Sequence, residues 1–518
     1  MKKNSLFVAI VLVAGLSVYS CNERKDLLND VPPGMDIALR SAETNSTATI
    51  TIDENLIIKD AGKSMLGFNH EWADAEAMVT MEDGNVLDVS QDCINVLKSA
   101  GVHLPLNRMA GASSQWMKWK GAIGPLADRI LQGNPKTKRR LGMVEWITLL
   151  RSVDPDAGFV IVLNYETETP QDYADLAEFL TGDGSVNING GENWAQKRIE
   201  LGITEPVEVA IWELGNEMDH RAKSIYRTPQ PYIEKSREAI TAIKGVCPDA
   251  KFAAVGATSP WGSKRDWRGW NRAILQGLGD QIDYLTFHPY YAWLQSSWNN
   301  MENYMKIMSR DILTTTGSDR IKLYISEHGI WPSSNISDQT TWTRTHDLRG
   351  TLSTGAFIGR LFKRPDVAFS TTHAFSGGPW GVIYRDKTVN SRYTTGIAEM
   401  NNAFYNAVGE KVIRASLTGK DTVNLETTAM LTERGMNLVL FNLQPDKKRD
   451  LKFKYSSDDA YRLVKEVIVT AEAFDAYNAL GDKTITTTET LVSGKRAFTK
   501  YLMPEKSMVV LYLEKVAN

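Results

Sequence analysis

The run Val207-Glu-Val-Ala-Ile-Trp-Glu-Leu-Gly-Asn-Glu-Met-Asp219 passes from an apolar, partly β-branched stretch into a Gly-Asn-Glu turn and then a polar loop. Val, Ile and Trp suit extended chain, and Gly and Asn suit turns, so the run predicts a strand that ends on charged residues. A helical pattern, Pro231 to Val246, follows. Strand, loop and helix make one βα unit, and seven more strand candidates flank it: Met65–Asn69, Val102–Arg108, Phe159–Asn164, Phe252–Gly256, Tyr284–His288, Leu323–Ser326 and Ala368–Phe375. Helical patterns at Ser90–Ala100, Gln171–Leu180 and Leu348–Phe362 lie between them. Eight such units in residues 63–407 predict an α/β fold, a (β/α)₈ TIM barrel with loop insertions. No Gly-rich phosphate turn follows the first strand, which argues against a dinucleotide-binding sheet.

Outside that core the character changes. Residues 408–518 carry short alternating runs (Val423–Thr427, Met436–Phe441, Val464–Val469, Thr484–Thr488, Ser507–Tyr512) separated by turn residues, as expected of a C-terminal antiparallel β-sandwich. Residues 46–62 contain one strand-like run, Thr47–Ile58, with no place in the barrel, and it is expected to join that sandwich. Residues 21–45 are polar, contain Pro32-Pro33-Gly34 and read as a tether. Residues 1–20 have the charge order of a secretory signal: Lys2-Lys3 precede the apolar run Leu6 to Val18, which is too short to span a bilayer stably. Ser17-Val18-Tyr19-Ser20-Cys21 resembles a lipobox, so lipidation at Cys21 and a lipid-anchored place in a bacterial cell envelope are expected, against the alternative of plain signal cleavage. Cys93 and Cys247 make no disulfide framework and read as free thiols.

The formal net charge of -3 argues against nucleic acid, which wants a basic stripe. No ligand spacing of the HExxH kind is present, so no metal or other cofactor is expected, even beside His70-Glu71. In a (β/α)₈ barrel, chemistry gathers at the C-terminal ends of the strands. Glu217 follows strand four, and Glu327, in Leu323-Tyr-Ile-Ser-Glu-His-Gly-Ile-Trp331, ends strand seven. Two carboxylates facing each other across a cleft are the minimal machinery for cleaving a glycosidic bond: one protonates the leaving oxygen, the other attacks the anomeric carbon or activates water. Arg108 ends strand two, and His288 and Tyr290 end strand six. Glu213 shares a face with Glu217 by strand alternation and reads as a supporting residue. Trp261, Trp267, Trp270, Trp331 and Trp380 fall in predicted loops, the last two best placed to meet a sugar. His220 and His328 read as catalytic neighbours or as solvated loop residues, and Asp347 as a helix cap.

Leu214-Gly-Asn-Glu-Met-Asp219 and the Glu ending strand seven resemble the clan A glycoside hydrolases, and among them the family 51 α-L-arabinofuranosidases. Arg108-Met-Ala-Gly111, Trp119-Lys-Gly-Ala-Ile-Gly-Pro125, Val162-Leu-Asn164 and Glu168-Thr-Pro170 extend the resemblance over nearly the whole chain after the tether. It implies a retaining glycosidase acting on plant or algal polysaccharide, with Glu217 as acid/base and Glu327 as nucleophile. Arg108, Asn216, His288 and Tyr290 would position the nucleophile and the sugar. Three positions depart from the family pattern: Ser113 where Asn is usual, His70-Glu71 shifted by about a residue from the usual Glu, and His373 where Gln is usual. A shorter Ser113 and a His373 able to carry charge would favour a decorated, acidic or sulfated glycan over a simple arabinofuranoside. Another clan A glycosidase, of β-glycanase or β-xylosidase type, and a surface glycan-binding protein on a hydrolase scaffold remain open readings.

Overall fold

The computed structural model describes residues 46–72, 75–82, 85–133, 137–138, 140–220, 224–258, 266–293, 295–420, 422–493 and 496–516. The expected signal, the tether, Cys21 and Trp261 lie outside them. No helix among the described residues is long and apolar enough to cross a membrane.

Eight parallel strands close on themselves: β1 Gly67–His70, β2 Asn107–Met109, β3 Phe159–Val162, β4 Val209–Glu213, β5 Phe252–Ala254, β6 Tyr284–Thr286, β7 Lys322–Ile330 and β8 Val367–His373. Each pairs with the next in chain order, and β8 returns to β1 through Thr371 opposite Gly67 and His373 opposite Asn69. A helix follows every strand: α1 Gln91–Ser99, α2 Met143–Val153, α3 Pro170–Thr181, α4 Pro229–Val246, α5 Trp267–Leu278, α6 Gln295–Thr316, α7 Leu348–Phe362 and α8 Gly396–Ala407. The caps are the residues the sequence offers for that purpose. Thr169 accepts from the Asp172 backbone N–H ahead of Pro170, and Asp347 accepts from Gly350 at 2.7 Å. Strand alternation divides the barrel's side chains into two sets. Leu106, Val160, Ile211, Ala253 and Tyr324 fill the interior, while Phe68, Met109, Trp212, Leu323 and Ile325 face the helices.

The other sheet has nine strands, antiparallel except for one pair. Its chain-order members are Ser46–Asp60, then β9 Lys411–Gly419, β10 Leu425–Thr432, β11 Gly435–Asn442, β12 Arg449–Tyr455, β13 Tyr461–Thr470, β14 Thr486–Leu491, β15 Lys500–Met503 and β16 Ser507–Lys515. Ser46–Asp60 lies between β9, antiparallel, and β12, parallel. One face of the sheet builds its own apolar cluster from Ala48, Ile50, Leu438, Leu440, Val509 and Leu511. The other, through Met430, Val439 and Phe441, joins the core around α7 and α8. Both faces of β11 are therefore buried. Gly355 on α7 permits the contact, because a Cβ there would stand 2.6 Å from the Phe441 ring.

Candidate active site

An irregularity in β7 sets the position of the first carboxyl. The pairing register with β8 shifts between Ile325 and His328. Unbroken alternation from inward-facing Tyr324 would send Glu327 toward the helices and His328 inward. The shift reverses this, as bulges do when they re-aim a side chain. Glu327 points into the barrel mouth, and His328 is enclosed against Tyr291 and Phe357. His328 is therefore not a solvated loop residue. Arg108 Nη1 donates to Glu327 Oε1 at 2.9 Å and the Tyr290 hydroxyl to Oε2 at 3.0 Å. Burial opposes the charge of Glu327, but the nitrogen groups around it, His288 and the permanently cationic Arg108 among them, hold its carboxyl below the usual range.

The second carboxyl comes from the turn after β4. Gly215 (φ 86°) and Glu217 (φ 48°) both take left-handed backbone, which brings the Glu217 side chain back over the mouth. His288 Nδ1 lies 3.0 Å from Glu217 Oε1 and 3.7 Å from Glu327 Oε2, while its Nε2 meets Ser326 Oγ at 2.8 Å. One oxygen of each carboxyl and a ring nitrogen of His288 lie within 4.8 Å of one another. Glu217 is 4% exposed and Glu327 5%, so both carboxyls lie deep in the barrel mouth. These three groups are also ligand types for a metal ion, but the Arg108 guanidinium already supplies the positive charge against Glu327.

Arg108 organises the floor. A guanidinium has five N–H donors, and here all five are used: Nε and Nη2 on Glu213 (2.6 and 2.8 Å), Nη1 on Asn69 (2.6 Å) and Glu327, Nη2 on Asn216 (2.6 Å). Burial works against its charge, but Glu213 and Glu327 outweigh it and keep it firmly protonated. With Asn216 Oδ1 turned to Arg108, the amide NH₂ is the end that remains for a ligand.

The three departures from the family pattern are placed differently. His70 is fully buried, bonded through Nε2 to Asn107 Oδ1 at 3.0 Å and stacked on Phe375, and burial pushes its imidazole down to about 3. It faces the helix layer and not the mouth, so the expectation that it binds substrate is corrected. Strand parity explains this, since Asn69 and Glu71 share the inward face and His70 does not. Glu71, half-buried, accepts from the Ser113 hydroxyl and from the Ser113 backbone N–H at 3.3 Å. Desolvation, reinforced by Glu327 and opposed by Ser113, lifts the Glu71 carboxyl to about 7. Ser113 thus holds Glu71 as well as being shorter than Asn. His373 is pushed down to about 4, chiefly by burial, which corrects the expectation of a cationic ring.

Trp331 and Trp380, 7% and 8% exposed, pack with Tyr290 and Ile336 into one wall of the mouth, and Trp380 Nε1 donates to Ile330 O at 2.6 Å. Trp267 and Trp270 belong to α5, where Trp270 Nε1 holds Val255 O. Asn69, Gly111 and Ser326 were not singled out from the sequence. A Cβ on Gly111 would stand 2.1 Å from Glu71 Oε1 and 2.9 Å from Glu327 Oε1, so only glycine fits beside the two carboxyls. The parity of β1 was the available signal for Asn69.

Against known proteins, the model of the α-L-arabinofuranosidase 1 domain matches residues 102–310. The chain is 25% identical over 226 residues to an intracellular exo-α-(1→5)-L-arabinofuranosidase of Streptomyces lividans, covering 43% of this chain and 31% of that one. It is 24% identical over 265 residues to the enzyme of the same name from Acetivibrio thermocellus, covering 48% and 50%. It thus spans 31% and 50% of these relatives' lengths. Both are named intracellular, and that finding overturns the expected lipid-anchored envelope location. The solved family 51 α-L-arabinofuranosidase of Thermotoga petrophila shares the fold, with a TM-score of 0.74 at 19% identity over 90% of this chain and 99% of that one. The sequence match over residues 102–310 and the shared barrel thus make this chain similar to the α-L-arabinofuranosidases of family 51.

Proposed function

We propose that this protein is a retaining glycoside hydrolase that releases α-L-arabinofuranosyl units from plant polysaccharides or oligosaccharides. The observation that carries the mechanism is the spacing of the carboxyls. One oxygen of Glu217 and one of Glu327 stand within 4.8 Å of each other, a closeness that supports the retaining separation of about 5–5.5 Å over the roughly 6.5–9.5 Å that leaves room for an inverting water. Glu327 is the carboxyl that Arg108 and Tyr290 bond, which suits a standing carboxylate and supports its reading as the nucleophile. Glu217 is left to handle the proton.

In the first step Glu217 gives its proton to the glycosidic oxygen as that bond to the anomeric carbon breaks, and Glu327 bonds the same carbon from the opposite face. Glu217, now a carboxylate, takes a proton from water, whose oxygen attacks the anomeric carbon and frees Glu327. Two inversions restore the starting configuration. A protein that only binds glycans has no need of a nucleophile held in this way, and the arabinofuranosidase names of the curated relatives support the choice of sugar.

The test is a panel of aryl furanosides and pyranosides, followed by proton NMR of the first-formed sugar. Hydrolysis of the α-L-arabinofuranoside with the α-anomer appearing first is expected. An inverted product overturns the mechanism, and activity confined to pyranosides overturns the sugar.

A further inference from the structure

The Arg108 fork determines which nitrogen of His373 carries the proton. Arg108 Nη1 has only hydrogens to offer, so the Asn69 amide must turn its oxygen to it, at 2.6 Å. The Asn69 NH₂ then faces His373 Nδ1 at 2.7 Å. A donor facing Nδ1 requires a lone pair there, which leaves the imidazole proton on Nε2. Asn69 is fully buried and bonded on both sides, so the amide cannot reverse without setting two donors against each other. The remaining surroundings of the ring do not undo this. Arg108 on β2 and His288 after β6 oppose a second proton, whereas Glu327 on β7, at 4.0 Å from Nδ1, and Glu217 after β4 favour one; burial weighs more than these. Tyr290 and Trp380 close the sides of the ring. His373 keeps 14% of its side-chain surface, and Nε2 is not among the enclosed polar atoms without a partner.

We propose that His373 is a specificity-determining residue: a neutral imidazole, locked in one tautomer by Arg108 and Asn69, that presents Nε2–H to an uncharged acceptor, a hydroxyl or ring oxygen of the sugar bound beside Glu327. The ligand class this selects is a neutral sugar, not an acidic or sulfated one. The sugar part of this inference rests on the proposed glycosidase function, but the tautomer does not.

Nitrogen-15 NMR of histidine-labelled protein tests the tautomer without substrate. The seven histidines are few enough to assign His373 by its loss in His373→Gln. Expected are an imine-type Nδ1 and a protonated Nε2, unchanged from about pH 5 to pH 8, the span over which an ordinary histidine titrates. A protonated Nδ1, or titration within that span, overturns the proposal. Asn69→Asp replaces the facing donor with an acceptor and should draw the proton to Nδ1, raising KM for aryl α-L-arabinofuranoside roughly tenfold to a hundredfold, the loss expected when a built polar contact goes unpaired. His373→Ala should raise it similarly and His373→Gln, which still offers N–H, less. Unchanged KM in all three overturns the donor role. If none of these aryl sugars is cleaved while the tautomer holds, the substrate reading has failed and the lock has not.

Discussion

Glu213→Gln tests whether the floor of the barrel mouth works as one electrical unit. The change is nearly isosteric, but Gln keeps one oxygen and sets an NH₂ against a guanidinium that already has every N–H engaged. Glu213 and Arg108 are both fully enclosed, and removing one partner from a buried ion pair costs about 3–5 kcal/mol. Glu327 still faces Arg108 from 2.9 Å, so the loss should fall near the low end, about 3 kcal/mol. Urea denaturation at neutral pH reads this as a lower midpoint at unchanged slope. A second effect follows at Glu327. With Glu213 neutral, the charge of Arg108 acts on Glu327 undivided and makes it a weaker base and nucleophile. The acid limb of kcat/KM should move to lower pH while kcat falls, each unit of pKa corresponding to 1.36 kcal/mol. A stability loss below about 1 kcal/mol together with an unmoved acid limb would refute the coupling.

Glu327→Ala should nearly abolish turnover, whereas Glu217→Ala should retain activity on aryl glycosides with good leaving groups and gain from azide; azide rescue with an inverted product would exchange the two roles. Gly111→Ala puts a methyl where Glu71 Oε1 and Glu327 Oε1 now stand, so kcat/KM should fall by roughly a hundredfold with little change in denaturation midpoint. Near-normal kinetics would show that neither carboxyl needs its present position. Glu168, 7% exposed and accepting from Trp119 N–H, is pushed up to about 8, mainly by burial. The folded chain therefore keeps a proton that the unfolded chain releases from about pH 4.5 upward, and this group makes stability fall as pH rises toward 8. Glu168→Gln removes that slope, and its gain over the parent should grow across this window to at most about 5 kcal/mol. A gain independent of pH would show that Glu168 does not hold the proton.

The barrel was legible because its strands are short apolar runs closed by Gly, Asn or charged residues, and each of the eight expected runs overlaps an observed strand. Among the outer strands, Lys411–Gly419, Arg449–Tyr455 and Lys500–Met503 were not read. In Lys411–Gly419 and Arg449–Tyr455 the exposed positions are basic or small polar, so neither makes a run of apolar residues. The two glutamates could be located by strand count, yet the same alternation that finds Asn69 and Glu213 would misdirect Glu327, because the register shift in β7 leaves no mark in residue type. His70 was attractive by its neighbourhood to Glu71 and wrong by parity. The tautomer of His373 depends on Arg108 and Asn69, brought together from 265 and 304 positions away, and no local pattern records such an arrangement.

The placement of Ser46–Asp60 inside the sheet of β9 to β16 imposes an order of events during synthesis. Its antiparallel partner begins at Lys411, some 350 residues later (411 − 60 = 351), and its parallel partner later still. At ribosomal rates of about 5–20 residues per second, the strand waits roughly 20–70 s for a neighbour. Throughout that wait Ala48, Ile50 and Ile52, fully enclosed in the finished protein, have no sheet to enter. The nascent chain thus carries an unpaired strand with an apolar face ahead of the barrel, a natural ligand for chaperones and a seed for association between chains on the same polysome.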